Sequence, residues 1–239
     1  MIGYLFQTFL YQPLLNFLIL ICAYSPGHDL GVAIILLTIL IRVLLYPIFR
    51  KSLQSQKKMN ELQPKIEELR QRYKKDSVKQ SQELMALYRE HHLNPFGSLV
   101  FLLIQIPILI ALFRVFGSGF EEATIAPLLY SFVSLPVLTP SLLGLLNLAQ
   151  PNLVLAVLAA LAQFYQGKLS LAKTTSSQAK AGLANLTQKS MLYFLPFLTF
   201  LFLTNLNAAV GLYWLTTTVF SIGQQYLLVH PLSLVRQKK

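Results

Sequence analysis

Five long apolar runs separated by polar stretches set the pattern of this chain, and they approach the roughly 20 residues a helix needs to cross about 30 Å of hydrocarbon. Residues 30–49, 99–116, 152–166, 191–207 and 209–228 are the predicted spans. Between the first two the period changes. Met59, Leu62, Ile66, Leu69 and Tyr73 recur at steps of three and four, and Leu84, Leu87 and His91 continue a similar face. That spacing predicts two amphipathic helices packed as a hairpin over 51–93. Lys75, Asp76 and Ser77 make the expected turn, and Ser77 with Gln80 reads as a capping box opening the second helix. Pro64 is expected to bend the first helix or to mark a late start.

Two segments fit neither pattern. Residues 1–28 carry Gln7, Gln12, Pro13 and Asn16 among apolar neighbours, a mixture that suits a helix lying in the outer interface better than a span. The stretch lacks a basic start and a small residue before Cys22, so neither a signal peptide nor a lipid-modified cysteine is expected. Residues 127–148 are apolar enough for a span but hold Pro127, Pro136 and Pro140 with several Ser and Thr. Were this segment to cross, the loop bearing Lys168, Lys173, Lys180 and Lys189 would lie opposite the basic 51–93 region, which the positive-inside tendency disfavours. An outer interfacial loop is the expectation.

Composition supports the same picture, because 54% of the 239 residues are hydrophobic and only 12% charged, more apolar surface than a soluble core of this size could bury. Helices satisfy their backbone polar groups internally, so the expected fold class is an all-α membrane protein. The formal net charge of +11 is spread over separate loops, which argues for membrane orientation rather than nucleic-acid binding. The expected topology places the N-terminus outside and 51–93, 168–189 and the tail with Arg236, Lys238 and Lys239 in the cytoplasm. Every Lys and Arg is then cytoplasmic except Arg42 and Arg114, and Arg114 is expected to snorkel to the outer headgroups. In the hairpin region ten Lys and Arg stand against six Asp and Glu, which fits either a solvated face or a docking surface for anionic lipid, ribosomal RNA or a partner protein.

The inventory of reactive side chains excludes several enzyme classes. All four His (His28, His91, His92, His230) lie in loops or the hairpin and the only Asp are Asp29 and Asp76, so an intramembrane aspartyl protease or metalloprotease is not encoded. Gly117, Ser118 and Gly119 read as a turn, since no span carries a His to serve as base. No phosphate-binding glycine loop is present, and Cys22 has no partners at metal-ligand spacing. No catalytic residue, metal or cofactor is expected.

Arg42 is the exceptional residue. An arginine about 12 Å inside the first span costs roughly 2.5–3.5 kcal/mol on insertion scales, so it is expected either to snorkel or to face a wet interior. Thr38, Arg42, Tyr46 and Arg50 sit four apart and line one helix face. The fifth span repeats that pattern with Tyr213, Thr217, Ser221 and Gln225 beside Trp214 and Gln224, while the second offers Gln105 and the third Gln163 and Gln166. Singly, such residues glue helices together; jointly, they predict a hydrated groove around Arg42. The spans contain no Asp or Glu, so the expected partner of Arg42 is water or a polar or acidic segment arriving from outside the chain.

The motifs resemble the YidC family of insertases, which has mitochondrial and chloroplast relatives. The resemblance covers about 30–228. Ile41, Arg42 to Pro47 resembles the family's arginine span, and Leu62, Gln63, Pro64, Lys65, Ile66 the opening of its cytoplasmic hairpin. Asn94, Pro95, Phe96, Gly97, then Leu103 to Ile108 with Ala111, Leu112 and Phe113, is similar to its second span. Gly211, Leu212, Tyr213, Trp214 with Gln224 and Gln225 resembles its last.

What the resemblance implies is a five-helix core, placed at 29–50 and 94–230, around a hydrophilic groove with a cytoplasmic hairpin at 51–93; the interfacial helix at 1–28 and a basic tail at 231–239 complete the expected organisation. Of the expected groove residues, the resemblance points to Arg42, Gln163 and Trp214, while Thr38, Gln105, Gln166, Thr217, Ser221 and Gln224 come from the polar faces of the spans. The implied function is an insertase and chaperone in a bacterial plasma (inner) membrane, working as a monomer on nascent membrane proteins, with the lipid bilayer, the Sec translocon and the ribosome as further candidate partners. The large extracytoplasmic domain of some bacterial members is not expected in this chain. A small anion transporter or channel is the alternative, with Arg42 as its anion site, although no internal repeat of the transporter kind is visible.

Overall fold

The computed structural model describes residues 2–92, 97–117, 122–171 and 183–229. The chain is predominantly helical, in the order α1 (Ile2–Phe6), a π-helical turn (Gln7–Tyr11), α2 (Gln12–Tyr24), α3 (Leu30–Leu44), α4 (Tyr46–Arg72), α5 (Ser77–Glu90), α6 (Gly97–Gly117), α7 (Glu122–Ile125), α8 (Leu153–Leu171), α9 (Leu183–Leu203) and α10 (Ala208–Val229). A two-stranded antiparallel ribbon pairs β1 (Ser141–Leu142) with β2 (Leu146–Asn147). Asn94, Pro95, Phe96, Ser118, Gly119, Glu121, Lys173, Lys180, His230 and the basic tail lie outside the described residues.

Among the described residues, Gly3–Tyr24 and Leu153–Ser170 are each long and apolar enough to cross a membrane. Leu30–Leu44 and Tyr46–Arg72, bent 65° from one another, count as a third when taken as one span, and Leu103–Gly117 and Ser190–Leu203 are shorter apolar helices. The N-terminal helix assigned to the interface is therefore also of spanning length, because its Gln and Asn are too few to offset its aliphatic residues.

The first span differs from the expected 30–49. Helix α3 begins where Asp29, in extended backbone, accepts the Val32 N–H on Oδ1 at 2.8 Å, an N-cap that satisfies one of the orphan amides of the first turn. It ends at Leu45 (φ −84°, ψ −1°) because Pro47 in the next turn has no N–H to continue the ladder. Proline is well accepted in the first turn of a new helix, so α4 starts there in a different direction. Phe49 and Arg50 accordingly belong to α4, and the four-residue face of Thr38, Arg42, Tyr46 and Arg50 is broken: Arg42 is buried while Arg50 is exposed.

Helix α4 then runs unbroken through Pro64 to Arg72, with no late start. Leu62 and Ile66 bury against Leu87 of α5, with Met59, Leu69, Leu84 and Tyr88 packed around them. The cap of α5 is Asp76 rather than Ser77. Asp76 has the extended backbone and its Oδ1 accepts the Lys79 N–H at 2.9 Å, whereas Ser77 is already helical and its carbonyl accepts the Ser81 hydroxyl. Gln80, the expected capping partner, instead donates to the Arg70 carbonyl across the turn at 2.9 Å.

The principal core joins α2, α3, α6, α8 and α10 through residues such as Leu15, Ile34, Leu112, Ala156 and Ala209. Residues 129–150 form no helix. They clamp the start of α3 instead: Leu143 N–H donates to Asp29 Oδ2 at 2.5 Å, and Leu30 N–H donates to the Thr139 carbonyl at 3.3 Å. Gly31 makes this approach possible, since a Cβ there would lie 2.8 Å from Leu142 Cα. Asn16 of α2 donates to the Leu128 carbonyl at 2.9 Å and accepts from Tyr130 N–H at 2.7 Å. On the same side, Asn207 donates to the Phe116 carbonyl at the end of α6 at 2.7 Å, and Ala208 N–H donates to the Gln150 carbonyl at 2.8 Å.

Candidate functional site

Four helices bring polar side chains to one cavity of about 200 Å³. Arg42 enters from α3, two residues before the helix ends, and is only 6% exposed. The bend after Leu45 folds Phe49 back against it, with the guanidinium carbon 5.8 Å from the ring centre, within reach of a cation–π attraction. Gln105 enters from α6, Gln163 and Gln166 from α8, and Tyr213, Trp214, Thr217, Thr218 and Ser221 from α10, with Leu109 as an apolar wall.

Side-chain bonds between helices hold the lining in place. Gln105 Nε2 donates to Tyr213 Oη at 2.7 Å, joining α6 to α10, and Trp214 Nε1 donates to Gln163 Oε1 at 3.1 Å, joining α10 to α8. The small hydroxyls bond within their own helix: Thr218 to the Trp214 carbonyl and Ser221 to the Thr217 carbonyl, both at 2.8 Å. Such back-bonding leaves the hydroxyl oxygen's lone pairs able to accept. The cavity therefore presents a guanidinium, amide groups and hydroxyl oxygens, a set able to hydrogen-bond polar groups.

Seven of the nine groove residues expected from sequence line this cavity: Arg42, Gln105, Gln163, Gln166, Trp214, Thr217 and Ser221. Thr38 and Gln224 do not. Thr38 is buried one turn above Arg42 and spends its hydroxyl on the Ile34 carbonyl at 2.6 Å. Gln224 is 3% exposed within the bundle, and its side-chain amide makes no hydrogen bond among the described residues. The structure adds Tyr213, Thr218, Phe49 and Leu109. Tyr213 was legible as the start of the i, i+4, i+8 row through Thr217 and Ser221, and Thr218 as four residues beyond Trp214. Phe49 was not legible, because only the bend at Leu45 returns it to Arg42.

A second cavity of about 330 Å³ shares Gln163 and Gln166 with the first and continues past Ser170 to Gln56 and Asn60 of α4, walled by Leu192, Leu195 and Pro196 of α9. Asn60 Nδ2 donates to the Ser170 carbonyl at 3.3 Å where the hairpin meets α8. Polar lining thus runs from Arg42 to the hairpin. At the other end Arg114, exposed near the end of α6, stacks over the Phe6 ring at 5.2 Å.

Comparison with known proteins gives a consistent result. The sequence profile of the 60Kd inner membrane protein family matches residues 22–234. The chain is 37% identical over 204 residues to a protein of Clostridium tetani named membrane protein insertase YidC, covering 85% of this chain and 83% of that one. A protein of the same name from Fusobacterium nucleatum is 33% identical over 225 residues, covering 93% and 98% of the two chains. A third, from Syntrophobacter fumaroxidans, is 35% identical over 229 residues, which are 94% of this chain but 38% of that longer protein.

Proposed function

The chain belongs to the YidC family of membrane protein insertases, the 60Kd inner membrane proteins, and from that premise we propose how it handles its clients. It takes polar or acidic segments of nascent membrane proteins into the Arg42 cavity and releases their transmembrane helices into lipid. The observation that carries this reading is the convergence of Arg42 with Gln105, Gln163, Gln166 and the hydroxyls of α10 on one cavity. A bare carboxylate at the bilayer centre costs roughly 2.5–3.5 kcal/mol on insertion scales. A guanidinium about 4 Å away at an effective dielectric near 20 attracts it by about 4 kcal/mol. The two are comparable, so Arg42 with its polar surroundings offsets the barrier without nucleotide hydrolysis.

In this reading the site is a bacterial inner-membrane groove built by five spans, α3, α6, α8, α9 and α10, and the α4–α5 hairpin is cytoplasmic. The chain works as a monomer, with the Sec translocon and the ribosome as assisting partners. Helix α1–α2 lies in the outer interface. Support for that placement comes from its two ends: Phe6 packs under Arg114 at the end of α6, while Cys22 and Ser25 adjoin the turn into Asp29 at the start of α3. A helix tethered at both ends to one level of a bundle runs across it.

Site-directed crosslinking tests the groove. Photoreactive residues at positions 42, 163 and 214 should capture a nascent single-span client at its polar flank, while the same probe at lipid-facing Leu158 should not. Capture at 158 alone, or anion flux through the reconstituted protein without client capture, would replace the insertase groove by a lipid-side surface or a small anion pore. The topology is tested separately: a cysteine at Lys79 in a Cys22→Ala background should resist an impermeant thiol reagent in intact cells.

A further inference from the structure

A third cavity, of about 640 Å³, lies at the base of the hairpin and belongs to no part of the groove. Its floor is one face of α4, where Lys51, Ser55 and Lys58 recur at the helical spacing of four and three. Gln54 joins them, and His92, in left-handed backbone at φ 48° just after α5, closes the far wall. Glu61 is the lone carboxylate in the lining, and it sits 3.9 Å from Lys57 in an i, i+4 pair. Among the described residues no carboxylate reaches within ion-pair distance of Lys51 or Lys58. The cavity therefore offers two ammonium groups, a hydroxyl, an amide and an imidazole to an anion.

Depth says which anion. Helix α4 leaves α3 at 65°, so for an upright α3 it advances along the bilayer normal by only about 0.6 Å per residue instead of about 1.5 Å. The ten residues from Lys51 to Glu61 then climb about 6 Å, the thickness of one headgroup layer. With α3 upright and ending at the surface, the whole basic face therefore lies along the headgroup layer instead of projecting out of it.

We propose that this concavity is a binding site for the phosphate of an anionic phospholipid, held between α4 and the end of α5. Lys51 and Lys58 carry the charge, and Ser55 and Gln54 donate to the phosphate oxygens. The bound lipid fixes the base of the hairpin to the membrane while its tip stays free. This inference rests on the reading that α4 emerges at a membrane surface, but not on which surface or on client handling.

The test uses the full chain in phosphatidylcholine nanodiscs, which expose both leaflets, doped with spin-labelled phosphatidylglycerol. The immobilised fraction of the label reports binding. A basic side chain at an anionic surface contributes about fivefold in affinity, so Lys51→Gln with Lys58→Gln should lower phosphatidylglycerol retention about 25-fold, and Lys51→Arg with Lys58→Arg should preserve it. Lys74→Gln with Lys75→Gln, in the exposed turn, should leave it unchanged. Equal loss in the turn variant, or none in the cavity variant, overturns the site. Displacement of the label by inorganic phosphate would assign the cavity to a free anion, and loss of RNA-hairpin binding with lipid retention intact would assign it to nucleic acid; either overturns the lipid. Failure of this experiment leaves the groove intact, because crosslinking at 42, 163 and 214 reads that independently.

Discussion

The two ends of the helical bundle are built differently. At the Asp29 end, polar side chains are spent on main-chain groups, three of them in the 126–150 segment: Asp29 on Val32 and Leu143, Asn16 on Leu128 and Tyr130, Asn207 on Phe116. At the hairpin end, the groove runs past Gln166 and Ser170 to α4, where Asn60 donates to the Ser170 carbonyl at 3.3 Å. Hydrogen bonds at one end close on protein, whereas side chains at the other line open volume. The contrast teaches that a polar residue's partner, not its polarity, decides whether it shuts a path or solvates one.

The largest expected effect comes from the residue at the inner limit of that path. Arg42→Glu reverses an attraction of about 4 kcal/mol and should reduce insertion of a client with an acidic translocated tail at least about hundredfold, measured in reconstituted vesicles. Arg42→Lys should stay within about tenfold, since Lys keeps the charge but loses the fork. Undiminished insertion by Arg42→Glu would reduce Arg42 to a packing role. Next comes the Asp29 end. Asp29→Ala removes an N-cap and a charge-assisted bond, about 2.5–4 kcal/mol together, and should lower the thermal midpoint in detergent. It should also expose Cys22, whose thiol donates to the His28 carbonyl at 3.0 Å beside the clamp, to thiol reagents; a protected Cys22 would show that the clamp does not depend on Asp29.

Asn16→Leu is smaller. It strands the Tyr130 N–H at a cost of about 1–3 kcal/mol, while Gln12 still donates to the Leu128 carbonyl at 3.1 Å. Hydrogen exchange at Tyr130 should quicken with α3 unaffected. Smallest is Asn60→Ala, where a long, part-buried bond contributes at most about 0.5–1 kcal/mol. Global stability should not change, and only amides of α4 near residue 60 should exchange faster. A stability loss as large as that of Asp29→Ala would erase the difference between the two ends.

Much of this was readable without coordinates. The helical character, the amphipathic seam of Leu62, Ile66 and Leu87, the exceptional position of Arg42 and the polar row through Thr217 and Ser221 follow from composition and helical period. These are properties a segment carries alone, because a helix in lipid satisfies its own backbone and only its faces remain to be assigned. Tertiary structure decided the rest. It ended the first span at Leu45, made Asp76 the cap of α5, turned Thr38 onto its own backbone, left Gln224 outside the cavity and returned Phe49 to Arg42. It also paired Asp29 with Leu143 and Asn16 with Tyr130, each across 114 positions. No local period encodes a partner that distant: a carboxylate or amide at a helix start reads the same from sequence whether it meets water, lipid headgroups or a loop brought back from the far half of the chain.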